Sequence, residues 1–97
     1  MIKVIIKKNE IVISGHAGYE EKGKDIVCAA VSSTVLTTVN AILSFDEYAI
    51  RVTESDELKI RIAKETEIVV KLLNNMINML KELEKDYKEY IKIIREG

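Results

Sequence analysis

The chain has 97 residues, which suffices for one modest hydrophobic core, and we predict a single domain over residues 1–97. Fifteen basic and 16 acidic side chains give a net charge of −1, so we expect no direct nucleic-acid partner. The N-terminal residues contain no long apolar run before their charges, so we expect no signal peptide, and we expect no segment to approach the roughly 20 apolar residues of a membrane span. The single cysteine excludes an internal disulfide and favours a reducing, cytoplasmic location.

The first fifteen residues predict a β-hairpin. β-Branched residues dominate 2–7 and 10–15, and the pair Lys8–Asn9 between them suits a tight turn. Apolar residues that share one face of the first strand are Ile2, Val4 and Ile6. Lysines fall between them, which is typical of a sheet that is covered on one side.

A loop and a long helix follow the hairpin. Three glycines and several charges make 15–23 a loop, and Asp25 then precedes an apolar stretch over 26–43 that is too long for a strand. Many β-branched residues weaken the helix propensity of this stretch. Its length, and Asp25 as an N-cap, still favour a helix.

The second half of the chain repeats the pattern of two strands and a helix. Alternating residues predict strands over 47–54 and 57–63, with a turn at Ser55–Asp56. From about Thr66, apolar residues recur at helical spacing, which predicts a long amphipathic helix. Its stripe consists of Val69, Leu73, Met76, Leu80, Leu83 and Tyr87. The segment 90–94 suits either the end of this helix or a short extra strand.

These elements predict an α+β fold of order ββαββα. Two hairpins form a four-stranded, mainly antiparallel sheet, and two helices cover one face of that sheet. The result is a two-layer sandwich.

The only histidine and the only cysteine of the chain lie on either side of the loop. His16 follows the second strand, and Cys28 is the third residue of a helix that begins after Asp25. Free backbone N–H groups and the helix dipole lower the pKa of a thiol in the first turn, and a nearby histidine acts as its base. One histidine and one cysteine make a poor metal site, so we expect neither metal nor cofactor.

The surrounding residues leave alternatives open. Asp25 either caps the helix or orients His16. Ser32 lies one turn after Cys28 and either hydrogen-bonds within the site or packs as a small residue. Gly18 and Gly23 bracket a charged segment that contains Tyr19. This segment is either a lid over bound peptide or an ordinary solvated loop. A lone cysteine in an apolar helix is also typical of a hydrophobic core.

The same stretch resembles a known family. The pattern G-H-A, a variable loop and then D-x-x-C-A-x-x-S is the signature of the Prp family of ribosomal-processing cysteine proteases. The residues that match it are Gly15, His16, Ala17, Asp25, Cys28, Ala29 and Ser32. Looser similarities occur at 39–42 and 83–87.

The resemblance implies a homodimeric cysteine endopeptidase with a ββαββα-like fold. It would remove a short N-terminal extension from a large-subunit ribosomal protein, cutting after an aromatic pair. Cys28 matches the nucleophile and His16 its partner in a dyad, while Asp25 and Ser32 match supporting positions. The loop with Gly18, Tyr19 and Gly23 matches a segment that orders over substrate. The alternative is a non-catalytic peptide-binding or ribosome-assembly module.

Overall fold

Seven elements in the order ββαββαβ make up the part of the chain that the computed structural model describes, residues 1–15 and 26–96. They are β1 (Ile2–Ile6), β2 (Glu10–Ser14), α1 (Ile26–Phe45), β3 (Ile50–Glu54), β4 (Glu57–Ile62), α2 (Glu67–Asp86) and β5 (Ile91–Arg95).

The five strands form one mixed sheet with the order β3-β4-β2-β1-β5. Both hairpins are antiparallel, β2 pairs with β4, and β5 runs parallel to β1 with Ile91 opposite Ile2. The predicted four-stranded sheet and the order ββαββα are therefore wrong by one strand. By pattern, residues 90–94 suit either the end of the helix or a short strand, and the structure shows the strand. The chain leaves α2 at Asp86, and its β-branched isoleucines then pair with the edge of β1.

Both helices pack against the same face of the sheet, as predicted. Ile2, Val4 and Ile6 are buried there together with Ile11 and Ile60 from the neighbouring strands. The helices contribute Val27, Val31, Val35, Val39 and Ile42 from α1 and Val69, Leu73, Met76, Ile77 and Leu80 from α2. One continuous core therefore holds the helix layer in a fixed position over the strands.

Helix α2 follows the predicted amphipathic pattern. The hydroxyl of Thr66 accepts a hydrogen bond from the backbone N–H of Val69 at 3.4 Å and caps the first turn. The helix ends at Asp86, so Tyr87, predicted as the last residue of the apolar stripe, is its C-cap. The chain then turns directly into β5.

Helix α1 contains no charged residue over its 20 positions. Its length and composition would allow it to cross a membrane, so the expectation that no segment reaches that length was wrong. Its valines at 27, 31, 35 and 39 nevertheless pack on the sheet. The helix is therefore a core element whose other side remains exposed.

The second hairpin begins later than predicted. The alternation predicts a strand over 47–54 that includes Tyr48. In the structure, Tyr48 is 70% exposed and lies in a turn before β3. A carboxylate oxygen of Asp46 accepts from the backbone N–H of Tyr48 at 2.9 Å, and the other accepts from Nζ of Lys64 at 3.1 Å. These contacts fold residues 46–49 into a turn that competes with an extended strand.

We expect this turn to be sensitive to acid. The backbone hydrogen bond from Tyr48, followed by the bond from Lys64, lowers the pKa of Asp46 from its ordinary value. The ionised carboxylate therefore stabilises the fold above the ordinary pKa, and that stability is lost as the pH falls through the lowered value. Asp46→Ala should lower the melting temperature at neutral pH. The difference from the parent should shrink in acid, as thermal unfolding across a pH series would show; a difference that is independent of pH would contradict this role.

Candidate active site

Cys28 lies in the first turn of α1, as predicted. The helix begins at Ile26, so Cys28 is its third residue, and its side chain is half-buried. Amide N–H groups in the first turn of a helix lack intrahelical acceptors and favour a nearby anion such as a thiolate. The position therefore suits a reactive thiol, and the same side chain also packs against the hydrophobic core.

A cleft of about 300 Å³ opens beside Cys28. The end of β2 forms one side of it through Ser14 and Gly15, and the turn between β3 and β4, residues 54–58, forms another. Ile2, Ile13 and Val31 form its apolar floor. The end of the second strand and the start of the first helix therefore meet, as the sequence predicted.

Gly15 adopts a backbone conformation that only glycine accommodates easily. Its φ is +84°, and a Cβ atom at this position would collide with the carbonyl oxygen of Met1. The glycine therefore lets the end of β2 pack closely against the start of β1.

Ser32 lines the same cleft as Cys28, one helical turn further along α1. Its side chain is exposed, which does not fit the alternative of a small residue packed in the core. The two side chains therefore share the face of α1 that borders the cleft, as their spacing predicted.

The cleft continues as an apolar groove along α1. An adjoining depression of about 100 Å³ shares Ile13, Val31 and Leu58 with the cleft and adds Val35 and Leu36. Leu36 is 48% exposed although it is a large apolar residue. The groove thus offers an apolar surface that begins next to Cys28.

The wall formed by residues 54–58 was not predicted from the sequence. Its acidic residues are Glu54, Asp56 and Glu57, which the sequence indicated only as part of a hairpin turn, and the carboxylate of Glu57 lies near Nζ of Lys59. The register explains their position, because β4 pairs with β2 so that Glu57 lies opposite Ser14. No local signal in the sequence reports this pairing between distant strands.

The other predicted site residues lie outside the described ranges. They are His16, Asp25, Gly18, Tyr19 and Gly23. The structure thus brings together Cys28, Ser32 and the end of the strand that precedes His16. Within residues 1–15 and 26–96, no cluster of three His, Cys, Asp or Glu side chains is arranged to hold a metal ion.

Comparisons with known proteins point to one family. The family model described as cysteine protease Prp matches residues 1–92. The ribosomal processing cysteine protease Prp of Mycoplasma pneumoniae is 33% identical over 94 residues, which cover 94% of this chain and 91% of that protein.

Solved structures show the same architecture with peptides bound. Prp from S. aureus with a covalently linked product peptide has a TM-score of 0.93 and 26% identity, covering 99% of this chain and 100% of that one. The complex of Prp from S. aureus with a substrate peptide has a TM-score of 0.87 and 25% identity, with the same coverage.

Proposed function

This chain belongs to the cysteine protease Prp family, and we propose that it removes a short N-terminal extension from a large-subunit ribosomal protein. The observation that carries the proposal is the position of Cys28, in the first turn of α1 and beside an open cleft. The family's ribosomal processing activity, named for the M. pneumoniae relative, supports the choice of substrate.

The proposed mechanism uses Cys28 and His16 as a dyad. The Cys28 thiolate attacks the scissile carbonyl and forms a tetrahedral intermediate, while amide N–H groups of the first turn stabilise its oxyanion. The peptide C–N bond then breaks, and His16 gives its proton to the leaving amine. Water, deprotonated by His16, hydrolyses the thioester and releases the Cys28 thiol.

The remaining motif residues take supporting roles in the proposal. Ser32 lines the cleft, and its hydroxyl would hydrogen-bond to substrate or to the dyad. Asp25 precedes α1 and either caps it or orients His16. The loop with Gly18, Tyr19 and Gly23 covers the bound peptide and keeps other peptides out. The match of each fixed position to the family signature supports these assignments.

The apolar groove along α1 supports a substrate with large apolar residues beside the scissile bond. Val35, Leu36 and Leu58 line this groove directly beyond Ser32. Burying an aromatic side chain here removes apolar surface from water on both partners. We therefore assign the groove to the aromatic pair that precedes the cut.

We further propose a cytoplasmic homodimer. The exposed side of α1 carries no charged group, and Met79 on the neighbouring helix is half exposed. Such a surface suits contact with a second copy of the chain. Sedimentation equilibrium of the purified protein would measure the oligomeric state. The single cysteine fits a reducing compartment.

Incubation with a synthetic peptide tests the function directly. The peptide is the first part of the large-subunit ribosomal protein from the same genome, and mass spectrometry follows it over time. We expect one cut, with two products whose masses add up to the peptide plus water. A scrambled peptide of the same composition is the control and should stay intact. Binding of the native peptide without turnover would favour the non-catalytic module.

A further inference from the structure

The face of the sheet opposite the helices carries an excess of positive charge. Strand register places five exposed cationic side chains on this outer face: Lys3, Arg51, Lys59, Arg61 and Lys92. The carboxylates at strand positions of the same face are Glu10 and Glu57. The outer face therefore has a local charge of about +3 on a chain whose net charge is −1.

Four of these cations form two cross-strand pairs of like charge. Lys3 lies opposite Lys92 on β1 and β5, and Arg51 lies opposite Arg61 on β3 and β4. Among the described residues, none of the four takes part in an ion pair, whereas Nζ of Lys59 is 3.9 Å from a carboxylate oxygen of Glu57. Like charges directly opposite each other destabilise a sheet. Arg61 also lies opposite Glu10 on β2, but the strand partners of Lys3, Lys92 and Arg51 include no carboxylate, and this excess of positive charge suits an anionic ligand.

The arrangement of the pairs favours an extended polyanion. They occupy the two flanks of the sheet, separated by roughly 15–20 Å at the ordinary spacing of strands. Between them lie Ile5 and Val12, and the described strand positions of this face include no aromatic side chain. Single-stranded nucleic acid is usually held by stacking on aromatic rings, which this face does not offer. A second copy of the same face would be repelled by its charge.

We propose that the outer face binds the phosphate backbone of structured RNA. The purpose of this contact rests on the proposed function: it would hold the protease near a ribosomal-protein substrate that is already associated with RNA. The net charge of the chain argued against nucleic acid, but that count is a sum over the whole chain, and the outer face is more basic than the remainder. Phosphate contacts depend on where the cations lie, not on the sum over the chain.

Fluorescence anisotropy with a labelled RNA duplex tests this proposal across a salt series. We expect weak, salt-dependent binding by the parent protein. A variant with Lys3→Gln, Lys92→Gln, Arg51→Gln and Arg61→Gln should bind at least about ten-fold more weakly, and its log–log salt slope should be shallower by about 3. The matched control changes four exposed lysines of the opposite layer: Lys71→Gln, Lys81→Gln, Lys85→Gln and Lys88→Gln. It should retain the binding.

Three results would overturn the proposal: no RNA binding by the parent, an equal loss in the control variant, or displacement of RNA by polyglutamate at the same charge concentration. The last would indicate an acidic protein as the partner. Each like-charge pair is also replaced separately, so that a folding defect in the quadruple variant does not decide the result. Cleavage of the free peptide should be unchanged in every variant. If the proposed function is wrong, the parent protein will not cleave the peptide. RNA binding is measured without the peptide, so its result is independent of that failure.

Discussion

Cys28→Ala should abolish cleavage of the ribosomal-protein peptide while the protein remains folded. The thiol is the group that forms the covalent intermediate, and alanine offers no nucleophile in its place. We expect the rate to fall by at least about 10³-fold. Alanine is a better helix former than cysteine, and the side chain is only half-buried, so the helix should persist. Peptide turnover by mass spectrometry and thermal unfolding measure the two effects separately.

A matched control for this variant lies five residues further along the same helix. Ser33→Ala also removes one polar atom from α1, but Ser33 lines a depression against α2 and not the cleft beside Cys28. Its activity should equal that of the parent. Cleavage that survives in Cys28→Ala would refute the assignment of the nucleophile. Loss of folding in that variant would show up as an altered melting curve and would call for Cys28→Ser instead.

His16, the proposed partner of the Cys28 thiol, is tested in the same cleavage assay. His16→Ala should lower turnover by about 10²–10⁴-fold, the usual contribution of a general acid–base group. It should also raise the pH at which the thiol becomes reactive towards an alkylating reagent, because an adjacent imidazolium favours the thiolate. An unchanged alkylation profile together with unchanged turnover would assign the base to another residue.

The sequence predicted positions within a helix better than it predicted the sheet, for a physical reason. Cys28 and Ser32 were placed correctly because helical spacing is a local property, and the meeting of β2 with α1 needed only a short loop. The turn at Ser55–Asp56 was predicted, but its place beside Cys28 was not, because that place depends on the pairing of β4 with β2, which are far apart in the chain. Local patterns do not encode such a register.

The last strand shows a related limit. Residues 90–94 are compatible with helix or strand by pattern, since isoleucine fits both. The choice is made by tertiary contacts: the N–H of Ile93 donates to a carboxylate oxygen of Glu84 at 2.9 Å, and Ile91 is buried opposite Ile2. At Tyr48 the pattern predicts strand where the structure has a turn, because the backbone N–H of Tyr48 donates to the carboxylate of Asp46 and ends the alternation.

Gly15→Ala should be the most disruptive substitution at the end of β2. A φ of +84° is unfavourable for alanine, and the added Cβ would collide with the carbonyl oxygen of Met1. That oxygen has little freedom, since Ile2 is buried and its N–H donates to the carbonyl of Tyr90 at 2.8 Å. Strain and overpacking together should lower the free energy of unfolding by about 2–4 kcal/mol. For a domain of this size the melting temperature should fall by on the order of 15 °C.

Two further substitutions separate the causes of that loss. Ser14→Ala, one residue earlier and on the outer face, is the control and should change the melting temperature little. Asparagine tolerates positive φ but still carries a Cβ, so Gly15→Asn should recover only the backbone part of the loss. Because Gly15 lines the cleft and directly precedes His16 in the chain, cleavage by Gly15→Ala should fall even at temperatures where the variant is fully folded. If Gly15→Ala has the melting temperature and the cleavage rate of the parent, the close approach to Met1 is not needed for stability. The same result would show that this glycine is not needed to place the dyad.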